Sequence, residues 1–362
     1  MRIQTEIKSF IKFTKIALVW SFCILVSTIT TQAQIGGKHT FSFLNLPHSA
    51  RITALGSSQI VSRDNDIMLG LESPSLLSKS MHKSIGVNHN FHLAGISFGN
   101  VGYGHFFEKF GLSTIAAFTY LSYGDFVQAD EFSNTLGQFS GGDLAFTIGA
   151  AKQWNERVSA GINIKFANSR LDQFVSSGLA LDLGATYEVP EKSTIYTLSV
   201  RNVGLQFSSF NEDSEPFPLD IQLGTSRKLK YLPLRVSLIL HNLNNWNLRS
   251  DGLNDRQPQI IDQSDQGQRA LSRGISNLFH HVILSGEFLI GQNEVFRLRF
   301  GYNHQLKQEL SVNGFRSLNG FSLGFGFKVK KIAFDYGFGS YHLTGGMNHI
   351  SLSTNLTQWN KQ

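Results

Sequence analysis

Apolar and polar residues alternate with a period of two along most of this chain. Phe321, Leu323, Phe325, Phe327 and Val329 interleave with Ser322, Gly324, Gly326 and Lys328. After Lys330-Lys331 the pattern resumes, with Ile332, Phe334, Tyr336 and Phe338 against Ala333, Asp335 and Gly337. Phe296, Leu298, Phe300 and Tyr302 alternate with Arg297, Arg299, Gly301 and Asn303, and Ala160, Ile162, Ile164 and Phe166 with Ser159, Gly161, Asn163 and Lys165. Leu179, Leu181 and Leu183 oppose Ala180, Asp182 and Gly184; Leu219, Ile221 and Leu223 oppose Asp220 and Gln222. Successive side chains of a strand point to opposite faces, so each run is a strand with one greasy and one polar face.

Such runs predict roughly fourteen strands between residues 84 and 356, most of about nine to fourteen residues. A strand needs about 9–11 residues to cross a membrane, whereas strands of soluble proteins usually have about five or six. No comparable helical pattern exists beyond residue 85. Connection lengths give a second test. With the first strand leading outward, alternate turns fall at 105–109, 155–156, 190–193, 230–233, 291–294 and 330–331, all short. The opposite connections at 123–136, 208–215, 242–277, 305–317 and 339–347 are longer and mostly polar, although those near 90–92 and 170–173 are brief. Short periplasmic turns, long outer loops and an even strand number that leaves both termini in the periplasm are the habit of outer-membrane barrels.

A soluble barrel or sandwich would turn the greasy face inward and show water a surface rich in Lys and Glu. Here the polar face carries Gly and Ser, with Asp182, Asp220, Glu287, Arg297, Arg299 and Asp335 spaced among them. Small residues with sparse, mixed charge suit a narrow or filled lumen in which opposite charges pair. The expected fold class is therefore all-β: an outer-membrane β-barrel spanning residues 84–362, integral to the outer membrane of a Gram-negative cell, with its long loops outside.

Composition agrees, with Gly (34) and Phe (30) abundant, and Pro (7) and charged residues (16%) scarce. Residues 1–34 read as a cleaved signal: Arg2, Lys8, Lys12 and Lys15 precede an apolar run from Ile16 to about Ile29, and Thr31-Gln32-Ala33 offers the small-residue cleavage site. A retained anchor is disfavoured, because the run is short for roughly 30 Å of hydrocarbon. Without this segment Lys plus Arg falls from 32 to 28 and Asp plus Glu from 26 to 25, so the net charge drops from +6 to +3. That is too weak for nucleic acid, which demands a dense basic patch. The single cysteine, Cys23, lies inside the signal, so the mature chain has no disulfide, no thiolate metal site and no cysteine nucleophile.

Residues 35–83 do not alternate. Phe41, Phe43, Leu44, Leu46 and Pro47 are followed by Ser49, which is placed to cap a helical turn ending at Gly56. So apolar a segment is expected to fold into the barrel mouth as a plug or hatch. Asp64-Asn65-Asp66 could open a calcium loop, but the twelve-residue spacing with a terminal Glu is missing and a turn is the better reading.

On these residues the chain resembles the PorQ family, outer-membrane components of the type IX secretion system of Bacteroidetes. The resemblance is carried by Phe41-Ser42-Phe43-Leu44-Asn45-Leu46-Pro47, Ser49-Ala50-Arg51 and Ala54-Leu55-Gly56. Further echoes are Gly161-Ile162-Asn163-Ile164-Lys165-Phe166, the run from Ser177 to Gly184, Pro218 to Gly224, and Arg299-Phe300-Gly301-Tyr302-Asn303. Ser57 stands where a second glycine is usual, and Ser73-Pro74-Ser75-Leu76-Leu77 replaces Asn-Pro-Ala-Leu-Leu. The resemblance implies a fourteen-strand barrel like those of long-chain fatty-acid transporters. It also implies a place in the cell-surface attachment complex, tethering a PorZ-like surface protein beside the sortase PorU and its partner PorV, close to lipopolysaccharide.

Chemistry is sparse. His280-His281 are adjacent, which on a strand sends them to opposite faces. His89 and His92, and His342 and His349, have no acidic or cysteine partner at ligand spacing. No Gly-x-Ser-x-Gly elbow is present, and Gly141-Gly142 lead into a strand rather than a phosphate-cradling helix. No catalytic, cofactor or metal residue is nominated, and the chain reads as a non-enzyme. The loop 242–277, with Trp246 at its start and eight charged residues from Arg249 to Arg273, is the best docking candidate. Phe132, Phe217 and Tyr341 in other outer loops are expected as aromatic anchors.

Two functions compete. The first is a non-catalytic secretion component whose outer loops hold a surface partner; the alternative is a passive transporter for hydrophobic small molecules, gated by the hatch. The alternative predicts an apolar pocket in the lumen with a path outward or a lateral gap, and a plugged polar lumen would sink it.

Overall fold

The computed structural model describes residues 39–91, 95–132, 134–210, 213–246, 248, 277–310, 318–342 and 345–359. The expected signal, 1–34, and most of the loop 242–277 lie outside the described residues. Fourteen antiparallel strands follow one another around a closed barrel, in which β1 (Ser84–Phe91) pairs with both β2 (Ser97–Phe107) and β14 (Gly345–Asn355). Between them run β3 (Leu112–Ala129), β4 (Thr135–Gln153), β5 (Val158–Leu171), β6 (Phe174–Val189) and β7 (Thr194–Ser208). The circuit continues through β8 (Asp220–Lys228), β9 (Leu234–Leu240), β10 (Val282–Ile290), β11 (Phe296–Asn303), β12 (Phe321–Val329) and β13 (Ile332–His342). Closure gives every strand two neighbours, so that no strand is an edge along its whole length.

The greasy face points out. Leu181 and Leu183 are 40% and 50% exposed while Asp182 between them is fully buried; Leu298 and Phe300 are 41% and 44% exposed around Arg299 at 2%. A soluble barrel would invert this. The band continues around the wall through Phe118, Phe146, Ile164, Leu198, Leu284 and Leu323. Exposed aromatics Trp154, Tyr187 and Tyr196 gather near the end of the turns 154–157 and 190–193, as in an interfacial girdle. The chain is an integral outer-membrane protein.

The wall is uneven. β3 and β4 have 18 and 19 residues, whereas β9 has seven. Residues 123–136, expected as a loop, are mostly ladder: Asp125–Ala129 of β3 pair with β4 from Ser140 back to Thr135. The register shifts between Ser122 and Asp125, where Gly124 takes a φ of +79°, and this bulge breaks the alternation that marks a strand. Likewise β13 and β14 reach His342 and Gly345, so the connection expected at 339–347 is far shorter. At β7 the reverse holds. Its pairing with β8 stops at Arg201 opposite Asp220, so among the described residues Asn202–Ser208 have no ladder partner on that side.

Inside the barrel the segment from Phe41 to Met81 runs as short helical turns, notably Ser42–Asn45, Ala50–Ala54, Leu69–Glu72 and Pro74–Leu76, nearly all of it buried. Ser49 caps the second turn, accepting from the Ile52 amide at 3.3 Å. Irregular backbone buried this way needs partners for its polar groups, and the inner wall supplies them. Asn100, Ser159, Asn163, Asn303 and Ser322 donate to the carbonyls of His48, Ser75, Gly70, Gly56 and Ala54 at 2.8–3.2 Å. The Ala50 amide donates to Ser351 Oγ at 2.8 Å. The small polar face of the strands is thus the hydrogen-bonding lining of the hatch.

Candidate functional site

Two clusters of buried charge pin the hatch to the wall. In the first, Arg51 of the hatch reaches Asp64 at 2.7 Å and Glu287 of β10 at 3.0 Å. Glu287 also takes Arg235 of β9 at 2.9 Å and Arg299 of β11 at 2.7 Å, and Arg299 continues to Asp335 of β13 at 2.5 Å. In the second, Glu72 of the hatch accepts from Arg201 of β7 at 3.1 Å and meets His48 at 2.8 Å. Nearby, Lys165 of β5 pairs with Asp182 of β6 at 2.7 Å. A buried charge is tolerated only when paired and hydrogen-bonded, and Arg51 and Glu72 of the hatch each find a partner on a strand.

The hatch carboxyls show the effect. Burial pushes Asp64 up, but Arg51 and then Arg235 outweigh it and hold the group well below the usual carboxylate range. Glu72 is likewise driven up by burial and brought below its ordinary value by Arg201 and His48. Asp66, 3.6 Å from Arg51, goes the other way: burial and the neighbouring Asp64 raise it. Burial lowers His48 despite Glu72 beside it.

The hatch therefore closes the mid-lumen, its charged groups held by one part of the wall and its apolar side chains packed on β3 and β4. Above it, on the side of the outer loops, a pocket of about 390 Å³ lies over the hatch. Its floor is Asn45-Leu46-Pro47 and Ser57-Ser58; Ile283, Leu306 and Met347 add apolar wall, and Arg201, Asp220, Gln222 and His241 the polar part. To one side an apolar cluster joins Phe41, Phe43 and Leu44 of the hatch to Phe98, Leu121 and Phe217. A smaller, charged recess of about 150 Å³ opens at the periplasmic end beside Arg51 and Asp66.

The structure redistributes the residues singled out from sequence. Asp64 and Asp66 are ion-pair partners of Arg51, and Asp64 Oδ1 accepts from the Asp66 amide at 3.1 Å, which makes the segment a turn. Of the lumen charges expected to pair, Glu287, Arg299 and Asp335 form one chain, Asp182 meets Lys165, and Asp220 bonds Gln222 and the Asn242 amide. His280 and His281 precede β10 rather than lying on it, and both are buried, so the opposite-face argument does not apply to them. His349 bonds Thr53 of the hatch at 2.9 Å and His89 bonds Tyr120 at 2.7 Å; His92 lies outside the described residues. Among the described residues no group of three or more His, Cys, Asp or Glu is placed to hold a metal ion.

Phe217 is the clearest correction among the proposed anchors. It turns inward, 4% exposed, and stacks on Phe41 with ring centroids 4.7 Å apart. A Cβ on Gly204 or Gly178 would come within 2.6 Å of its ring, so the wall beneath must be glycine. Phe132 is 84% exposed, as expected of a loop tip. Of the docking loop 242–277, residues 247 and 249–276 lie outside the described residues; Trp246, at its start, stacks on His281 at 5.1 Å.

Arg51, Glu72, Arg201 and Arg235 were missed as a set. Their only sequence signal is the presence of ionisable groups in an otherwise apolar hatch and on polar strand faces.

No family model and no curated protein matches the chain. Solved structures do. The Pseudomonas putida toluene transporter TodX is similar at 10% identity and a TM-score of 0.47, over 85% of this chain and 96% of its own. The CymD monoaromatic hydrocarbon channel gives 12% and 0.47, over 85% and 97%. A Pseudomonas aeruginosa FadL homologue gives 8% and 0.44, over 85% and 98%. The role expected from the PorQ resemblance, anchoring a surface partner in type IX secretion, is corrected here. The solved structures similar to the chain include a hydrocarbon channel and a transporter, and no secretion component is among those named.

Proposed function

We propose that the protein is a gated passive transporter that carries hydrophobic small molecules across the outer membrane. The observation that carries this reading is the pocket of about 390 Å³, in part apolar, stacked directly on a hatch that closes the lumen. Sites for small molecules are typically concave, largely apolar and about 300–1,000 Å³, with a few fixed polar groups. The buried hatch, filling the lumen, excludes an open pore. Passage therefore requires the hatch to move, or a sideways exit where Asn202–Ser208 of β7 lack a ladder partner on the β8 side among the described residues. Phe217 stacked on Phe41 closes that flank from within.

Locking the hatch tests the reading. Ser75 Oγ of the hatch lies 2.7 Å from Thr186 Oγ1 of β6, so Ser75→Cys with Thr186→Cys places two thiols for a disulfide. Cys23 in the expected signal is the only native cysteine. In proteoliposomes, uptake of 2-ethylnaphthalene should fall to the level of empty vesicles when the pair is oxidised and return on reduction. Uptake that ignores the bond overturns gating by the hatch and leaves only the sideways exit, and no uptake by the native protein overturns transport altogether.

A further inference from the structure

The pocket above the hatch carries two buried N–H groups with no use in holding the barrel together. Arg201 lines it, and its terminal nitrogens are engaged, one donating to Glu72 at 3.1 Å and the other to the Leu44 carbonyl at 3.2 Å. Its Nε is buried without a partner among the described residues. His241 lines the same pocket, and its Nε2 is also buried without a partner. The Asn242 side-chain amide donates to Gln305 Oε1 at 3.0 Å and lies 3.1 Å from His241 Nδ1. That amide orientation makes His241 Nδ1 the acceptor and puts the ring proton on Nε2.

Apart from the Ser57 hydroxyl, the side-chain polar groups around them are engaged. Asp220 accepts from Gln222 through one oxygen and from the Asn242 amide, at 2.7 Å, through the other. Ser58 donates to Gln222 at 3.0 Å, and Asn303 serves the Gly56 carbonyl and the Leu306 amide. What remains buried is two donors, with no free charge. Arg201 is matched by Glu72, with Asp220 also near, and burial pushes His241 down to about 4 against the pull of Asp220, leaving it neutral near pH 7. A carboxylate ligand would meet no uncompensated cation and would face Asp220. A pure hydrocarbon would leave both N–H groups without an acceptor, as they are among the described residues.

We propose that this pocket binds an uncharged, mainly apolar molecule bearing a carbonyl-type oxygen, which accepts from Arg201 Nε–H and His241 Nε2–H while its body packs on Leu46, Ile283 and Met347. The proposal deepens the transport reading and rests on it in taking the pocket as the outer stage of passage.

Three probes of one shape separate the possibilities: 2-acetylnaphthalene, 2-ethylnaphthalene and 2-naphthoate. Each is measured by equilibrium dialysis against the full protein in lipid nanodiscs, with empty nanodiscs subtracted and barrel folding checked by circular dichroism. The ketone should bind at least about tenfold more tightly than either analogue, as one well-made hydrogen bond to a buried donor allows. His241→Leu should cut the ketone's advantage severalfold, leaving what Arg201 Nε–H supplies, and His241→Gln, which keeps an N–H donor, should restore much of the difference. Naphthoate binding as well as the ketone, a ketone advantage undiminished by His241→Leu, or no binding by any probe overturns the proposal. If hatch-dependent uptake of 2-ethylnaphthalene persists while the ketone advantage is absent, only this assignment falls. If uptake is absent, the transport reading falls by its own test.

Discussion

The hatch has two seats of opposite chemistry. On one side Arg51 enters a chain of carboxylates and guanidinium groups from β9, β10, β11 and β13. On the other, Ile67, Met68, Leu71, Leu77 and Met81 pack on Ile115, Ala117 and Ala151 of β3 and β4. There the fit is steric: a Cβ on Gly86 or Gly102 would come within 2.8 Å of the Met68 methyl. The charged seat gives direction and register, because an ion pair is satisfied at one geometry only. The apolar seat contributes burial that is indifferent to pH and salt. A gate that must be both positioned and releasable is served by having one of each.

The comparison can be broken most strongly at Arg51. Arg51→Ala removes one partner of a buried pair and leaves Asp64 and Glu287 to share the remaining cations, Arg235 and Arg299, a loss of about 3–5 kcal/mol. Proteolysis and hydrogen exchange should show residues 39–83 released at neutral pH while the strands stay protected; a hatch as protected as in the native protein would refute the role given to the charged seat. Met68→Ala opens a cavity in the other seat and should cost about 2–5 kcal/mol, toward the lower part of that range if β1 and β2 close in. Thermal unfolding in micelles reads the difference.

Acid sharpens the contrast without mutation. Asp64 and Glu72 sit below their ordinary values in the folded protein. Their contribution is therefore fully present above the unfolded value of about 4 and is lost as pH falls through and below it. Asp66, shifted upward, works in the opposite sense and trims the effect. Hatch release should thus begin on acidification below about pH 4 in the native protein and in Met68→Ala, and be weaker in Arg51→Ala, where the stronger of the two cations that lower Asp64 is gone and Glu72 keeps its own. An equal acid dependence in all three would show that these carboxyls do not hold the hatch. The smallest effect is expected outside both seats. Lys228 and Glu294, 2.7 Å apart and 43% and 38% exposed, form a rim pair, so Lys228→Ala should change stability by less than about 0.5 kcal/mol.

The wall was the legible part. Period-two runs such as 296–303 and 321–329 became β11 and β12 almost residue for residue, and the turn at Lys330-Lys331 joins β12 to β13 directly. Where the reading missed, a local rule was overridden. The bulge at Gly124 hid the extension of β3 and β4, because one inserted residue flips the alternation beyond it. Phe217 looked like an exposed anchor because nothing in Glu215-Pro216-Phe217-Pro218 shows that the loop folds back onto a hatch residue 176 positions earlier. The adjacent histidines invited a strand argument, yet they lie just before β10 begins.

The candidate site was less legible than the fold, and the reason is range. Arg201 and His241 carry no motif. Their two free N–H groups were identified only after Glu72, Leu44, Asn242 and Gln305 had taken the other polar atoms. The sequence by itself determined that there are about fourteen two-faced strands, which face meets lipid, and that an apolar segment precedes them, since alternation follows from backbone geometry within a few residues. Tertiary structure decided what fills the lumen, which charges pair and where a pocket remains. Those contacts join residues up to some 300 positions apart, as Ala50 and Ser351 are, and the closure of the barrel brings them together.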